Sequence, residues 1–496
     1  MSSPAPIDSS ADAMAQASIG YRTTVAAQAV RLLCKIAGVV VLARLVSPAE
    51  HGLFAMAASL TFFLTLFRDL GGGNAAIQAR ELSETQKTTL LWLHIALGAV
   101  LAVSTLALAP FVARFFGEPL VGPLLAVMSA SFVLNGGNAW PRALLARELR
   151  FAELNRIETW AALLGTSAMI GAGVAGAGAY SFAVYLLVSE ALMLVAAWRL
   201  CRWRPTARLD WNSLSALSAT GFHLTNYQFL NYVLLQADTI LMGRWFGAGA
   251  LGLYNRAGQL LAQPANHLAA PFGQVLLATL SRLGASTESF ARQLTETATT
   301  IAHLTLPVAV VCAVLPDDVV HLVLGNAWPE AAPLLRWLSV GAMATFLTST
   351  VYSLCVAAGN SARLSHLALA ALPVLATGLL LSRSAGPTGL AAAVALTNVV
   401  LLLPRLWWSA RGTAVSCGAY VGAFIGPLGV NLALALGLFA GNALASDLSD
   451  TLRVISSGLL GGAAYAGALF FWPRARTEWQ RLWAHLPFTK RTASTT

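Results

Sequence analysis

Between Thr88 and Val112 the chain reads TTLLWLHIALGAVLAVSTLALAPFV, 25 residues without an Asp, Glu, Lys or Arg. Coiled as a helix at about 1.5 Å per residue, the run reaches about 37 Å, more than the roughly 30 Å of a bilayer's hydrocarbon core. A water-facing helix of that length needs a charged side, and this one has none. Comparable runs recur from Val25 to Trp472, separated by short Gly, Pro or charged segments.

Composition agrees. Of 496 residues, 57% are hydrophobic and 10% charged, whereas a soluble domain carries about 25% charged residues. The reading is an all-α polytopic membrane protein of about fourteen transmembrane helices, near 22–45, 51–69, 88–112, 119–145, 156–177, 179–200, 219–243, 249–277, 297–316, 328–357, 362–383, 387–408, 416–440 and 452–472. Residues 1–17 are polar and lack the basic and apolar regions of a cleavable signal, so they read as a disordered cytosolic tail.

The net charge of +10 belongs to topology, because the basic residues sit in short segments between apolar runs and form no aromatic-interleaved domain for nucleic acid. With both termini cytosolic, the inner segments hold 22 Lys and Arg and the outer ones five: Arg44, Arg114, Arg244, Arg383 and Arg453. This is the positive-inside asymmetry, and an odd error in the helix count would scramble it. Five scattered cysteines without CxxC spacing argue against a disulfide framework or a metal site.

The stretch VLARLVSPAEHGLF from Val41 superposes without gaps on LMGRWFGAGALGLY from Leu241, aligning Arg44 with Arg244 and Gly52 with Gly252. Each copy ends one helix and begins another, so helices one and two correspond to seven and eight. Two parallel six-helix repeats follow, with two further helices at the C-terminal end. The predicted organisation is a first lobe over 18–200, a cytosolic linker over 201–218, a second lobe over 219–411, two additional helices over 412–473 and a basic cytosolic tail over 474–496. Gly52 and Gly252 are expected either to adopt positive φ or to let helices approach closely.

Polar residues at membrane depth are the candidates for function. On the first helix Thr24, Gln28, Arg31 and Lys35 fall within a stripe of about 60°. Arg31 lies about 13 Å and Lys35 about 20 Å from the cytosolic end at about 1.5 Å per residue. Snorkelling to the interface therefore stays open for Arg31, while Lys35 favours a hydrated interior. The seventh helix carries Tyr227, Gln228, Asn231, Tyr232, Asp238 and Thr239 on one side, with Asp238 either paired to Arg244, the simpler reading, or sensing a cation. The eighth presents Asn255, Arg256, Gln259, Gln263, Asn266, His267 and Gln274 within about 120°. Pro264 and Pro271 are expected to bend it, and polar glue between helices is the alternative to a lined passage. His303 and Arg336 stand alone and read as packing or snorkelling residues.

No GxSxG, P-loop, Asp-rich or HExxH motif is present, and no catalytic residue, cofactor or metal is assigned. Competing readings are a drug or cation antiporter, which would need a carboxylate such as Asp238, and a membrane glycan polymerase or ligase, which would need a long outer loop.

Several stretches carry a resemblance. LARLVSPAEHGLFAMA (42–57) and RDLGGGNAAIQARELSETQ (68–86) resemble the opening of the Wzx-type polysaccharide flippases of the MATE-like exporter superfamily. PRALLARELRFAEL (141–154) resembles their fourth-to-fifth helix linker, and ADTILMGRWFGAGALGLYNRAGQLLAQP (237–264) their seventh-to-eighth helix segment. The ending LLATLSRL (276–283) lacks the usual Pro. The resemblance implies a MATE-like arrangement of two six-helix lobes about a central cavity that opens alternately to each side of the bacterial inner membrane. It also implies an undecaprenyl-pyrophosphate-linked oligosaccharide as cargo for exopolysaccharide, capsule or O-antigen synthesis, with a polysaccharide polymerase and export machinery as further partners. On that reading Arg31, Lys35 and Arg256 attract the anionic cargo.

Overall fold

The computed structural model describes the backbone of residues 10–68, 83–148, 150–206, 215–360, 362–445 and 450–485, and side chains over 27–67, 83–148, 150–206, 232–360, 362–445 and 452–480. Every regular element among them is helical: α1 (Ser10–Leu45), α2 (Pro48–Arg68), α3 (Glu84–Phe116), α4 (Val121–Arg147), α5 (Phe151–Val174), α6 (Tyr180–Leu200) and α7 (Ser215–Leu280) come first. Then follow α8 (Glu288–Val314), α9 (Pro316–Val323), α10 (Ala331–Leu347), α11 (Val351–Ala357), α12 (Ala362–Ser382), α13 (Gly386–Ala410), α14 (Cys417–Gly422), α15 (Ile425–Leu444), α16 (Asp450–Phe471) and α17 (Pro473–His485).

Helical dihedrals run through α7 except at Gly247 (φ 80°, ψ −177°), where two helices meet, and they pass through Pro264 and Pro271 without a break. Counting α7 as two, and taking α10 with α11 and α14 with α15 as single spans, the described residues hold fourteen long helical stretches, each overlapping one expected segment. Nine stretches among the described residues are long and apolar enough to cross a membrane, the longest, Ala362–Ala410, holding two helices. The protein is a multi-pass membrane protein.

Caps explain where the helices begin. Ser47 Oγ accepts from the Glu50 backbone N–H (3.4 Å) while Glu50 Oε2 accepts from the Ser47 N–H (2.9 Å), a capping box opening α2. Ser83 and Gln86 repeat it at α3. Gly117 (φ 76°) then closes α3 in the left-handed conformation that glycine adopts freely.

The chain divides into two compact units, the first Met1–Tyr232 with Gly247–Gly252, the second Val233–Phe246 with Leu253–Thr496. In the first, α1 runs parallel to α5, its residues 31, 38 and 42 meeting 158, 169 and 173 in order. α4 runs parallel to α6, with Asn135 meeting Glu190 and Gly137 meeting Trp198. α3 and α4 are antiparallel neighbours, since a Cβ on Gly98 would lie 2.5 Å from Phe132 O and one on Gly136 2.6 Å from His94 O. Odd helices parallel to odd and even to even is what strict alternation across a bilayer demands.

The repeat has a physical counterpart within the first unit. A Cβ on Gly52 would lie 1.7 Å from Ala248 O, and one on Gly252 would lie 1.8 Å from Pro48 O. Ala248 and Gly252 stand 200 residues after Pro48 and Gly52, so the two repeat copies make the same contact on each other, as a two-fold relation requires. Neither glycine is among those at positive φ; close approach is the reason both are glycine.

In the second unit α8 lies parallel to α15, Thr299 donating to Ala423 O (2.9 Å) and Val310 packing with Leu434 and Leu438. α15 crosses α16 at Gly437 and Gly441, where a Cβ would meet Leu460 O at 2.7 Å and Ser457 Cα at 2.5 Å.

One expectation about the ends needs correction. Helix already runs from Ser10, so the tail expected to be disordered over 1–17 is helical over 10–17, a consequence of Ala-rich sequence continuing α1. The basic tail after Trp472 begins with helix α17, which docks in the second unit. Glu478 Oε2 lies 3.3 Å from the buried His303 Nε2 and would be 1.9 Å from a Cβ on Gly426. His303 is therefore not isolated, and neither is Arg336, 3.6 Å from Asp317.

Candidate functional site

The polar stripe of α1 straddles the rim of that helix's packing face. At about 100° per residue Arg31 lies within about 20° of Gly38 and Leu42, while Lys35 and Gln28 are turned away by about 40° and 60°. Gly38 and Leu42 touch Met169 and Gly173 of α5, and Arg31 is drawn the same way. Its guanidinium reaches Glu158 Oε2 at 3.3 Å and Asn155 Oδ1 at 3.4 Å. Glu158 also takes Arg142 of α4 at 2.8 Å, so one carboxylate serves two arginines. Gln28 and Lys35 remain exposed, and among the described residues Lys35 has no hydrogen-bond or ion-pair partner. The Thr24 side chain lies outside the described residues.

This corrects the picture of Arg31 and Lys35 as twin cations aimed one way. Arg31 is half-buried in an ion cluster, with 17% of its side chain exposed, and does not stand free. Of the two, Lys35 is the charge without a partner among the described residues.

In the second unit the Asp238 carboxylate accepts from Tyr254 Oη (2.5 Å) and from the Thr239 backbone N–H (2.7 Å). Arg256 is buried, 6% exposed, and donates to Gln259 Oε1 at 2.9 Å; Gln259 and Asn266 are exposed, and Asn255 and Gln263 are half-buried. The side chains of Asn231, Tyr227 and Gln228 lie outside the described residues. Tyr232 donates to Ser59 O at 2.6 Å.

One carboxylate escaped the sequence reading. Glu190, midway along α6, accepts from Asn135 Nδ2 (3.1 Å) and Asn138 Nδ2 (2.7 Å) of α4. The signal was available, a single acid inside the apolar run Tyr180–Leu200, and it obeys the same rule that marked Lys35. Its partners lie over 50 residues away, where no helical periodicity connects them.

Residues 41–333 match the family model described as "Polysaccharide biosynthesis protein". The chain is 26% identical over 319 residues to the lipopolysaccharide biosynthesis protein WzxC of Escherichia coli (strain K12), a match covering 64% of this chain and 65% of that protein. It is 24% identical over 310 residues to the succinoglycan biosynthesis transport protein ExoT of Rhizobium meliloti (strain 1021), covering 62% of each. The matched region thus spans slightly less than two thirds of either relative. Among solved structures, the lipid II flippase MurJ in an inward closed conformation superposes with a TM-score of 0.70 at 15% identity, covering 92% of this chain and 99% of that one. An inward-facing multidrug resistance MATE family transporter of the MOP superfamily reaches 0.55 at 18% identity, covering 76% and 93%. At such identities these two likenesses speak to the fold, which is that of the MATE-like exporters.

Proposed function

The chain belongs to the polysaccharide biosynthesis protein family, and from that premise we propose that it is a flippase carrying undecaprenyl-pyrophosphate-linked oligosaccharide units across the bacterial inner membrane. It makes and breaks no covalent bond. On this reading its termini lie in the cytosol, in keeping with the distribution of Lys and Arg, with one lobe over 18–200 and the other over 219–411. A polysaccharide polymerase and export machinery receive what it delivers.

The observation that carries this reading is the charge on the exposed side of α1. Arg31 and Arg142 share one carboxylate, Glu158, and Lys35, one turn from Arg31, adds a cation that has no ion-pair partner among the described residues. A surplus cation at membrane depth is unfavourable unless it meets water or an anion, and a pyrophosphate supplies the anion. Lys35 attracts it by charge alone, as a compact ammonium does. Arg31 holds the adjoining helices in place through Glu158, and exposed Gln28 offers a hydrogen bond to sugar hydroxyls.

The test is reconstitution of the purified protein in vesicles holding a fluorescent undecaprenyl-pyrophosphate oligosaccharide, with an impermeant quencher reporting the outer leaflet. The expected outcome is equilibration of label between leaflets with the wild type and its near loss with Lys35→Glu at equal protein level. Label confined to its starting leaflet with the wild type sinks the proposal.

A further inference from the structure

Glu190 is ten residues from either end of Tyr180–Leu200, about 15 Å from each at about 1.5 Å per residue. Its hydrogen-bonding needs are met by two amides: Asn135 Nδ2 donates at 3.2 and 3.1 Å to its two oxygens and Asn138 Nδ2 donates at 2.7 Å. Amides are neutral, so they satisfy lone pairs and leave the charge. Among the described residues no Lys, Arg or His nitrogen makes an ion pair with it. Arg142, one turn beyond Asn138, is committed to Glu158 at 2.8 Å. His94 on α3 turns its Nδ1 to the Leu90 carbonyl at 2.7 Å.

A second group at the same place is short of a partner. Asn138 is 0% exposed and its Oδ1 makes no hydrogen bond, although buried amide oxygens nearly always find a donor. A carboxylate without a counter-charge and an amide oxygen without a donor, joined by one hydrogen bond, lack the same thing.

We propose that Glu190 and Asn138 form a binding site for an alkali-metal cation between α4 and α6. Carboxylate and amide oxygens are hard donors that suit hard cations, and a single carboxylate balances a single charge. No group of three His, Cys, Asp or Glu able to hold a metal occurs among the described residues, which sets this site apart from a transition-metal centre. Beside it α4 and α6 leave an apolar groove of about 520 Å³, with Leu134 and Leu187 among its walls. The cation therefore adds to the polar ties between the two helices beside a groove whose walls are apolar. This inference goes beyond the flippase reading and stands whatever the cargo is.

The experiment is thermal unfolding of the purified full-length protein in detergent, in sodium, lithium, potassium or choline chloride at equal ionic strength. The unfolding midpoint is expected to rise saturably with an alkali cation relative to choline, because a ligand of the folded state stabilises it by mass action. Glu190→Gln, which keeps the shape and one acceptor oxygen, should abolish the shift. Asn138→Ala should raise the half-saturating concentration roughly tenfold or more. A wild-type midpoint indifferent to the salt overturns the proposal. So does a midpoint that follows pH and ignores the cation, which would make Glu190 a proton site, and so does a full shift retained by Glu190→Gln. If Glu190→Gln does not fold, Asn138→Ala decides alone, and an unmoved half-saturation overturns the site.

Discussion

The crossing of Gly52 with Gly252 and the face of α1 that bears Gln28, Arg31 and Lys35 lie in the same unit and are constrained in opposite ways. At the crossing, backbone meets backbone, and an added Cβ would sit 1.7 Å from one carbonyl oxygen and 1.8 Å from another. On the α1 face, Arg31 is tied to a neighbouring helix by an ion pair and Lys35 to nothing described. A region held by contacts of its main chain has no room to vary, whereas a region of long exposed side chains can change its chemistry without disturbing the fold. Substitutions at the first should therefore cost folding, and those at the second should cost transport.

The sharpest way to break this contrast is Gly52→Val or Gly252→Val. Neither glycine can accept a Cβ unless the start of α2 and residues 248–252 move apart, so each substitution is expected to destabilise by roughly 4 kcal/mol or more. Folded yield after detergent extraction, read by size-exclusion chromatography, should collapse for both. A variant at one position that remains folded while its counterpart does not would show that the two repeat copies do different work.

How far these regions were legible beforehand follows from the range of the interactions. The fourteen helices were visible because each is a local run of apolar residues, and the Gly52/Gly252 pairing was visible because the absence of a side chain at both crossings left a repeated pattern. Arg31 was visible as a charge but not as half of an ion pair, since Glu158 lies 127 residues further on. For Asp238 closeness in sequence suggested Arg244, whereas the hydroxyl of Tyr254, across the Gly247 break, reaches its carboxylate through a contact that helical periodicity does not signal. Glu190 is a single acid in an apolar run and belongs to no polar stripe on its own helix, and its two asparagines belong to another helix. Helix α17 was missed because a short basic segment at the end of a chain carries no signal for the buried histidine that receives it.

A smaller effect is expected in between, at Glu158. Glu158→Gln removes the charge that Arg31 and Arg142 share and leaves two arginines facing an amide. The carboxylate is 35% exposed, so screening limits the loss to roughly 1 kcal/mol. Thermal unfolding at low and high salt checks this. The difference from wild type should shrink with salt, and a salt-independent difference would mean that Glu158 packs and does not pair.

The smallest effect on stability separates the two cations of α1. Methionine keeps most of the stem of either side chain and removes the charge, so Arg31→Met and Lys35→Met compare a paired cation with an unpaired one at nearly constant packing. Arg31→Met breaks the link to Glu158 and Asn155 and should lower the unfolding midpoint measurably. Lys35→Met has no described partner to lose, and its unfolding free energy should stay within about 0.5 kcal/mol of wild type. In the vesicle assay the order should reverse, with Lys35→Met slowing lipid-linked oligosaccharide movement more than Arg31→Met, since Arg31 is engaged by Glu158 and Lys35 has no partner among the described residues. If Lys35→Met moves the lipid at the wild-type rate at equal protein level, Lys35 is an exposed but idle residue, and the charge that draws the cargo must be sought on another helix.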